Sequence, residues 1–291
     1  MSLRLAIFGQ APFGREVTEK LAQAGHTIAA VYAPPGGARP DPLGGLAEEQ
    51  GWRLFPYMPF TTAILPSEIT DAPELGSLCF HPSLLPAFRG GAALAWQIML
   101  GAEESGVSVF RVTEGVDAGP LVVQRGGVTI ELHETMGSLY FDKLYPLGVE
   151  AVLEAVAAVD AGTAEYREQS AGTAEYREQS ETGASEQGLV TDEVARIDWN
   201  RPALQIDRQI RGCDPSPGAV AESAGELVRL FGARLEETDS RETPGKVLAA
   251  KGGALQIACG QGSISVEKAR RPEGKKLPAS ELGIVADGQF L

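Results

Sequence analysis

The sequence predicts an α/β fold: a domain of strands and helices over residues 1–160, a linker over 161–190 and a smaller strand-rich domain over 191–291. Three observations predict it. A strand, a glycine-bounded turn, a helix and a second strand open the chain within residues 3–32. Further along, the apolar run Leu78-Cys79-Phe80 reads as a buried strand that delivers His81 at its carboxyl end. Beyond residue 190, short apolar runs alternate with glycine-rich turns, as in a small all-β domain.

Composition narrows the function classes. A chain of 291 residues with 43% hydrophobic content can bury a sizeable core and is long enough for two domains. No apolar run reaches membrane-spanning length, and Met1-Ser2-Leu3-Arg4 leads straight into a strand, so neither a membrane anchor nor a leader is expected. Cys79, Cys213 and Cys259 are too few and too scattered for a disulfide framework or a zinc site, which predicts a reducing cytoplasm and no metal. The net charge of −14 argues against indiscriminate nucleic-acid binding. That charge is uneven. Residues 201–291 hold 13 Lys+Arg against 12 Asp+Glu, a balance of +1, which leaves −15 for residues 1–200.

The elements follow in order. Leu3–Phe8 is a strand, and Arg15–Ala24 is a helix with Val17, Leu21 and Ala24 on one face, closed by Gly25. Thr27–Tyr32 is the next strand, a Rossmann-like start. Its glycines do not spell GxGxxG, and Ala33-Pro34-Pro35 stands where an acidic residue would end the second strand, so no nucleotide cofactor is expected. His26 reads as structural. Asp41-Pro42-Leu43-Gly44 opens a helix ending near Gln50, and Trp52–Phe55 is a third strand.

Around His81, Pro82 and Pro86 break regular structure and leave Ser83, Leu84 and Leu85 on a constrained loop. Ala92–Leu100 is a short amphipathic helix, Val107–Val112 a strand, and the turn Glu114-Gly115-Val116 carries Asp117. Pro120–Gln124 is a further strand with Gly126-Gly127 as a bend. A long helix runs from Thr135, its cap, to about Val159, and His133 is a surface or cap residue. Ala161–Ser170 is then repeated without change as Ala171–Ser180, which reads as a tandem duplication tolerated in a polar linker. Leu227–Leu235, Gly245–Ala250, Ala254–Cys259 and Ser263–Val266 are the strands of the second domain.

A lone histidine before proline is usually a loop residue, and a turn aspartate usually a turn-former. Here one of only three histidines and a carboxylate both lie at strand ends, where ligands of open α/β sheets bind, and such a pair suits acid–base chemistry. Cys79 shares a strand face with His81 and reads better as a small core residue than as a nucleophile. Lys268, Arg270, Arg271, Lys275 and Lys276 form a local basic cluster, which reads more readily as a solvated face than as a binding surface.

The strings Phe80-His81-Pro82-Ser83-Leu84-Leu85-Pro86, Arg89-Gly90 and Gly115-Val116-Asp117-Ala118-Gly119 resemble the signature of the tetrahydrofolate-dependent formyltransferases. They are most similar to the N-terminal hydrolase/formyltransferase domain of 10-formyltetrahydrofolate dehydrogenase, then to methionyl-tRNA formyltransferase. Gly9-Gln10 to Val17 and the strings from Thr191 to Ala219 extend the resemblance over most of the chain. It implies an OB-like barrel as second domain, 10-formyltetrahydrofolate as formyl donor, and His81 and Asp117 as catalytic residues. Ile64, Leu65 and Pro66, with Leu84 and Glu114, Gly115 and Val116, would line the pterin slot. Arg89 would steer an anionic substrate or support its own turn. The family's transferases carry Asn where this chain has Cys79, and the dehydrogenase domain is also apolar there. Leu54–Tyr57 runs almost directly into Met58–Phe60, too short a span for a parallel crossover, so one β-α unit is expected to be missing. Three functions follow as expectations: removal or transfer of the formyl group of 10-formyltetrahydrofolate, formylation of methionyl-tRNA, or folate binding with impaired catalysis. The acceptor and the oligomeric state are left open.

Overall fold

A computed structural model describes residues 2–36, 40–57, 65–169, 187–237, 240–284 and 288–291. The expected strand end at Met58–Phe60, the slot residue Ile64 and the second repeat copy, Ala171–Ser180, lie outside them. The chain forms two compact units. The first comprises residues 1–91, 106–127 and 142–186, and the second residues 92–105, 128–141 and 187–291.

In the first unit, β1 (Arg4–Phe8), β2 (Thr27–Ala33) and β3 (Leu54–Pro56) form a parallel sheet in that order. Helices α1 (Ala11–Gln23) and α2 (Pro42–Gln50) connect them. Helix α1 begins four residues before the expected Arg15. Pro12 sits in its first turn, where a missing N–H is no loss, and the Ala11 N–H is taken by Asp41 Oδ2 at 2.7 Å. The other oxygen of Asp41 accepts the Leu43 N–H at 2.9 Å, so one carboxylate serves both helix N-termini. Gly9 and Gly14 let these elements meet: a Cβ on either would lie 3.1 Å from Leu43 Cδ2. One apolar cluster joins Ile28, Val31, Leu43 and Ala47, and another joins Val17 and Leu21 to Val149 and Val156.

After the short α3 (Ser67–Thr70) comes a second three-stranded sheet of order β4 (Leu78–His81), β5 (Glu104–Arg111), β6 (Leu121–Thr129), with α4 (Ala93–Met99) between the first two in the chain. Strand β6 runs through Gly126-Gly127, where the sequence predicts a bend. The glycines permit this, because Gly106 faces Arg125 and Gly126 so closely that a Cβ there would meet the Arg125 carbonyl. The expected long helix is α5 (Met136–Ser138), a π-turn over Leu139–Leu144 and α6 (Tyr145–Ala161). Thr135 caps it, its Oγ1 accepting the Ser138 N–H at 3.1 Å. Pro146 stands in the first turn of α6, directly after the π-turn, where a missing N–H is tolerated.

The second unit continues with α7 (Asp192–Ala195) and α8 (Ala203–Gly212), then β7 (Ala219–Ser223), β8 (Glu226–Glu236), β9 (Val247–Lys251), β10 (Ala254–Ala258), β11 (Ser263–Arg270) and β12 (Leu277–Pro278). The sheet order is β7-β8-β11-β10-β9, with β12 on β11. Residues 288–291 tie its two edges together: Phe290 bridges to Ser223 at the end of β7, and Gln289 to Lys246 just before β9. An α/β domain followed by a small closed sheet is the architecture expected. Alternate inward residues Val228, Leu230, Ile264, Val266, Leu255 and Ile257 fill its core with Ile206 and Ile210 of α8.

Candidate active site

His81 is the last residue of β4, held opposite Ser108 in the antiparallel ladder with β5. The ladder also fixes the loop that follows. Ser108 Oγ donates to the Ser83 carbonyl at 2.7 Å and accepts the Leu85 N–H at 3.2 Å, while Gln124 Nε2 from β6 donates to the Leu85 carbonyl at 2.9 Å. These partners are buried or half-buried, so the polar backbone of the loop is satisfied within the protein.

The loop turns back on the imidazole. His81 Nε2 lies 2.7 Å from the Phe88 carbonyl, which can only accept, so Nε2 carries a proton. Nδ1 lies 3.5 Å from Asp117 Oδ2, and the same oxygen accepts the Gly90 N–H at 2.7 Å. Burial pushes the His81 pKa below its usual value, opposed by the Asp117 carboxylate and the Phe88 carbonyl. The ring is therefore neutral at pH 7, with its lone pair on Nδ1, toward Asp117. Asp117 is the more accessible member: 19% of its side chain is exposed against 7% for His81.

Two of the same residues carry backbone strain. Phe88 (φ 58°) and Asp117 (φ 47°) are both left-handed without being glycine, at a cost of order 1–3 kcal/mol each. The strained conformations aim a carbonyl and a carboxylate at one imidazole. Gly119 allows the turn to close, because a Cβ there would overlap the Arg111 carbonyl.

Arg89 is half-buried, and its guanidinium is held by Gln169: Nε and Nη2 donate to Oε1 at 3.2 and 2.7 Å. Gln169 Nε2 donates in turn to the carbonyls of Asp117 (2.8 Å) and Gly119 (2.7 Å). Arg89, His81 and Asp117 are thus joined in one network through Phe88, Gly90 and Gln169. Of the expected slot residues, Leu65 is half-buried and Pro66 caps α3. Glu114 and Gly115 are exposed, whereas Val116 and Leu84 are half-buried. Cys79 pairs with Phe110 in the ladder and packs with Leu85, Phe110 and Leu121. Burial, with a contribution from the Asp117 charge, pushes its thiol up to about 12, which keeps it protonated at neutral pH.

Sequence reasoning missed three participants. The roles of the Phe88 carbonyl and Gly90 N–H are backbone roles, invisible in residue type, though the Arg89-Gly90 string lay beside them. Gln169 sits inside an exact repeat that carries no positional signal. Among the described residues, no group of three or more His, Cys, Asp and Glu side chains could hold a metal ion, and no helix is long and apolar enough to cross a membrane.

Comparison with known proteins bears on this geometry. The formyl transferase family matches residues 57–156, and the formyl transferase C-terminal domain matches residues 189–284. Mitochondrial 10-formyltetrahydrofolate dehydrogenase of Mus musculus is 32% identical over 314 residues, covering 96% of this chain but 33% of its own. The chain thus spans about a third of the length of that relative. Methionyl-tRNA formyltransferase of Ruegeria pomeroyi is 36% identical over 297 residues, covering 92% of each chain. The crystal structure of HypX from Aquifex aeolicus in complex with tetrahydrofolic acid is alike in fold, with a TM-score of 0.68 at 21% identity, over 97% of this chain and 46% of that one. From the identity carried along nearly the whole of a methionyl-tRNA formyltransferase, the chain belongs to the folate-dependent formyl transferase family, whose members are enzymes.

Proposed function

We propose that the chain removes the formyl group of 10-formyltetrahydrofolate, with water as the principal acceptor, and that residues 1–160 carry the chemistry. The observation that carries this reading is the His81–Asp117 pair: Nδ1 of the buried imidazole lies 3.5 Å from Asp117 Oδ2, while Nε2 is bound to the Phe88 carbonyl at 2.7 Å. Attack on the formyl carbon forms a C–O bond and breaks the C–N10 bond; the nucleophile loses a proton and N10 gains one. Asp117, the more exposed partner, takes the proton from attacking water, and His81 Nδ1 shares it until it passes to N10. A proton on Nδ1 converts a 3.5 Å contact into a charge-assisted pair, so the site favours the charge separation that the step creates. The commitment of Nε2 to Phe88 supports a proton-transfer role for His81 over direct support of the oxyanion. Leu65, Pro66, Leu84 and Glu114–Val116, with Ile64, are proposed to line the pterin slot.

A second reading, transfer to methionyl-tRNA, is favoured by the end-to-end similarity to methionyl-tRNA formyltransferases. The basic cluster argues against it, because much of its charge is used internally. Lys276 Nζ lies 3.5 Å from Asp214 and 3.7 Å from the Phe231 ring centroid, Arg271 pairs with Glu226, and Arg270 Nη2 bonds the Pro217 carbonyl at 3.4 Å. Product analysis with 10-formyltetrahydrofolate separates the readings. Formate released without any added acceptor supports hydrolysis. Turnover only with charged initiator tRNA supports transfer, and tight folate binding without product would mean a binding protein.

A further inference from the structure

We propose that Gln169 is a positioning residue that locks Arg89 and the Asp117 turn into the geometry turnover requires, an inference that rests on the folate reading above. Its carboxamide is used at both ends. Oε1 accepts two bonds from the Arg89 guanidinium, and Nε2 gives its two protons to the carbonyls of Asp117 and Gly119. The amide cannot flip, because a guanidinium only donates and carbonyls only accept. Gln169 therefore reads two groups of opposite hydrogen-bonding sense at once, which neither Glu nor Lys could do.

The segment that carries it is anchored. Arg167, two residues earlier, makes an antiparallel bridge with Leu121 of β6, with hydrogen bonds in both directions at 2.7 and 2.9 Å. Tyr166 lies with its ring centroid 5.6 Å from the Arg111 guanidinium. Alternate residues of an extended segment share a side, so registering residue 167 on β6 fixes where residue 169 falls. What Gln169 holds is consequential. The carbonyl it binds belongs to Asp117 itself, in a left-handed turn that relaxes once its hydrogen bonds are removed. A relaxed turn moves the carboxylate that stands 3.5 Å from His81 and holds the Gly90 N–H. The contact with Arg89 gives that side chain a fixed direction in place of a long flexible one.

The test compares Gln169→Ala and Gln169→Glu in the full chain. Because residues 171–180 repeat the same ten residues, each change is also made together with Gln179→Ala, so that the repeat cannot stand in by slipping in sequence. With both glutamines changed, kcat for 10-formyltetrahydrofolate should fall about tenfold to a hundredfold, as expected for displacement of an oriented group. KM should change by less than about threefold, the signature of lost positioning rather than lost binding. Gln169→Glu keeps an acceptor for Arg89 but sets a carboxylate against two carbonyls, so it should be as slow as Gln169→Ala. An NMR titration of His81, one of three histidines, gives a readout independent of turnover: its pKa should drop when the Asp117 carboxylate is no longer held beside it. Wild-type kcat and an unmoved His81 titration in the double variant would overturn the proposal, as would a global loss of folding that accounts for the lost rate. If the wild type does not turn over the folate at all, the folate reading fails, while the titration still decides whether Gln169 positions Asp117.

Discussion

Oδ2 of Asp117 receives the Gly90 N–H at 2.7 Å and stands 3.5 Å from Nδ1 of His81, so one carboxylate oxygen is held by the backbone of the loop while it faces the imidazole. The other imidazole nitrogen is bound by the carbonyl of Phe88, two residues before Gly90. The histidine is thus held on one side by the loop that its own strand leads into and faced on the other by the carboxylate that the same loop holds, and the proton balance of the ring is set by these two contacts.

This arrangement predicts an acid-side weakness in stability. An unfolded histidine takes up a proton near pH 6.5, whereas the buried His81 does so only at lower pH. Between those two values the unfolded state binds more protons, so stability falls as pH falls through that window and is regained above 6.5. Thermal unfolding from pH 7.5 to 5 should show this slope, and His81→Asn should flatten it. An unchanged slope in the variant would mean that the ring titrates freely in the folded protein.

Asp41 should matter to stability alone. It accepts N–H groups from Ala11 at the start of α1 and from Leu43 in α2, so Asp41→Ala removes two helix caps. Denaturant unfolding should register a loss of about 1–3 kcal/mol, from roughly 1 kcal/mol per cap with the accompanying dipole contribution. Asp41→Asn should lose less, since one carbonyl oxygen remains to cap α2. Equal losses for both variants would point to charge rather than capping.

The thiol of Cys79 should prove inert. With its pKa pushed up to about 12, iodoacetamide at pH 8 should label it slowly and inhibit little. Cys79→Ala should leave turnover within about threefold. It should cost about 1 kcal/mol of stability, because the smaller side chain packs less well against Leu85 and Phe110. Complete inactivation of the alanine variant, with folate binding intact, would make Cys79 a participant.

Much of this was legible in the sequence because it is local. The apolar run before His81, the prolines after it and the turn carrying Asp117 each dictate their own structure within a few residues, and the family strings supply the pairing. The start of α1 at Ala11 was not legible, because the residue that stabilises it, Asp41, is thirty positions away. The helix from Thr135 was legible in its cap and apolar stripe, but the π-turn over Leu139–Leu144 was not, because a one-residue change of hydrogen-bond register leaves the apolar stripe almost unaltered. Gln169 was hidden for a different reason. Two identical decapeptides give no hint which of them meets Arg89, and the duplication itself reads as surplus linker. Function that depends on which carbonyl an amide reaches, as at Asp117 and Gly119, is a property of backbone direction that residue types do not encode.

The most direct test is single-turnover release of formate from 10-formyltetrahydrofolate by the wild type, Asp117→Asn and His81→Ala, with folate affinity measured for each. The wild type should release one formate and one tetrahydrofolate per site. Each variant should be slowed about 10²–10⁴-fold, the usual range for a lost acid–base group, while binding folate nearly as well. Undiminished formate release by Asp117→Asn, correctly folded and folate-bound, would contradict the assignment of the His81–Asp117 pair as the centre that moves the proton.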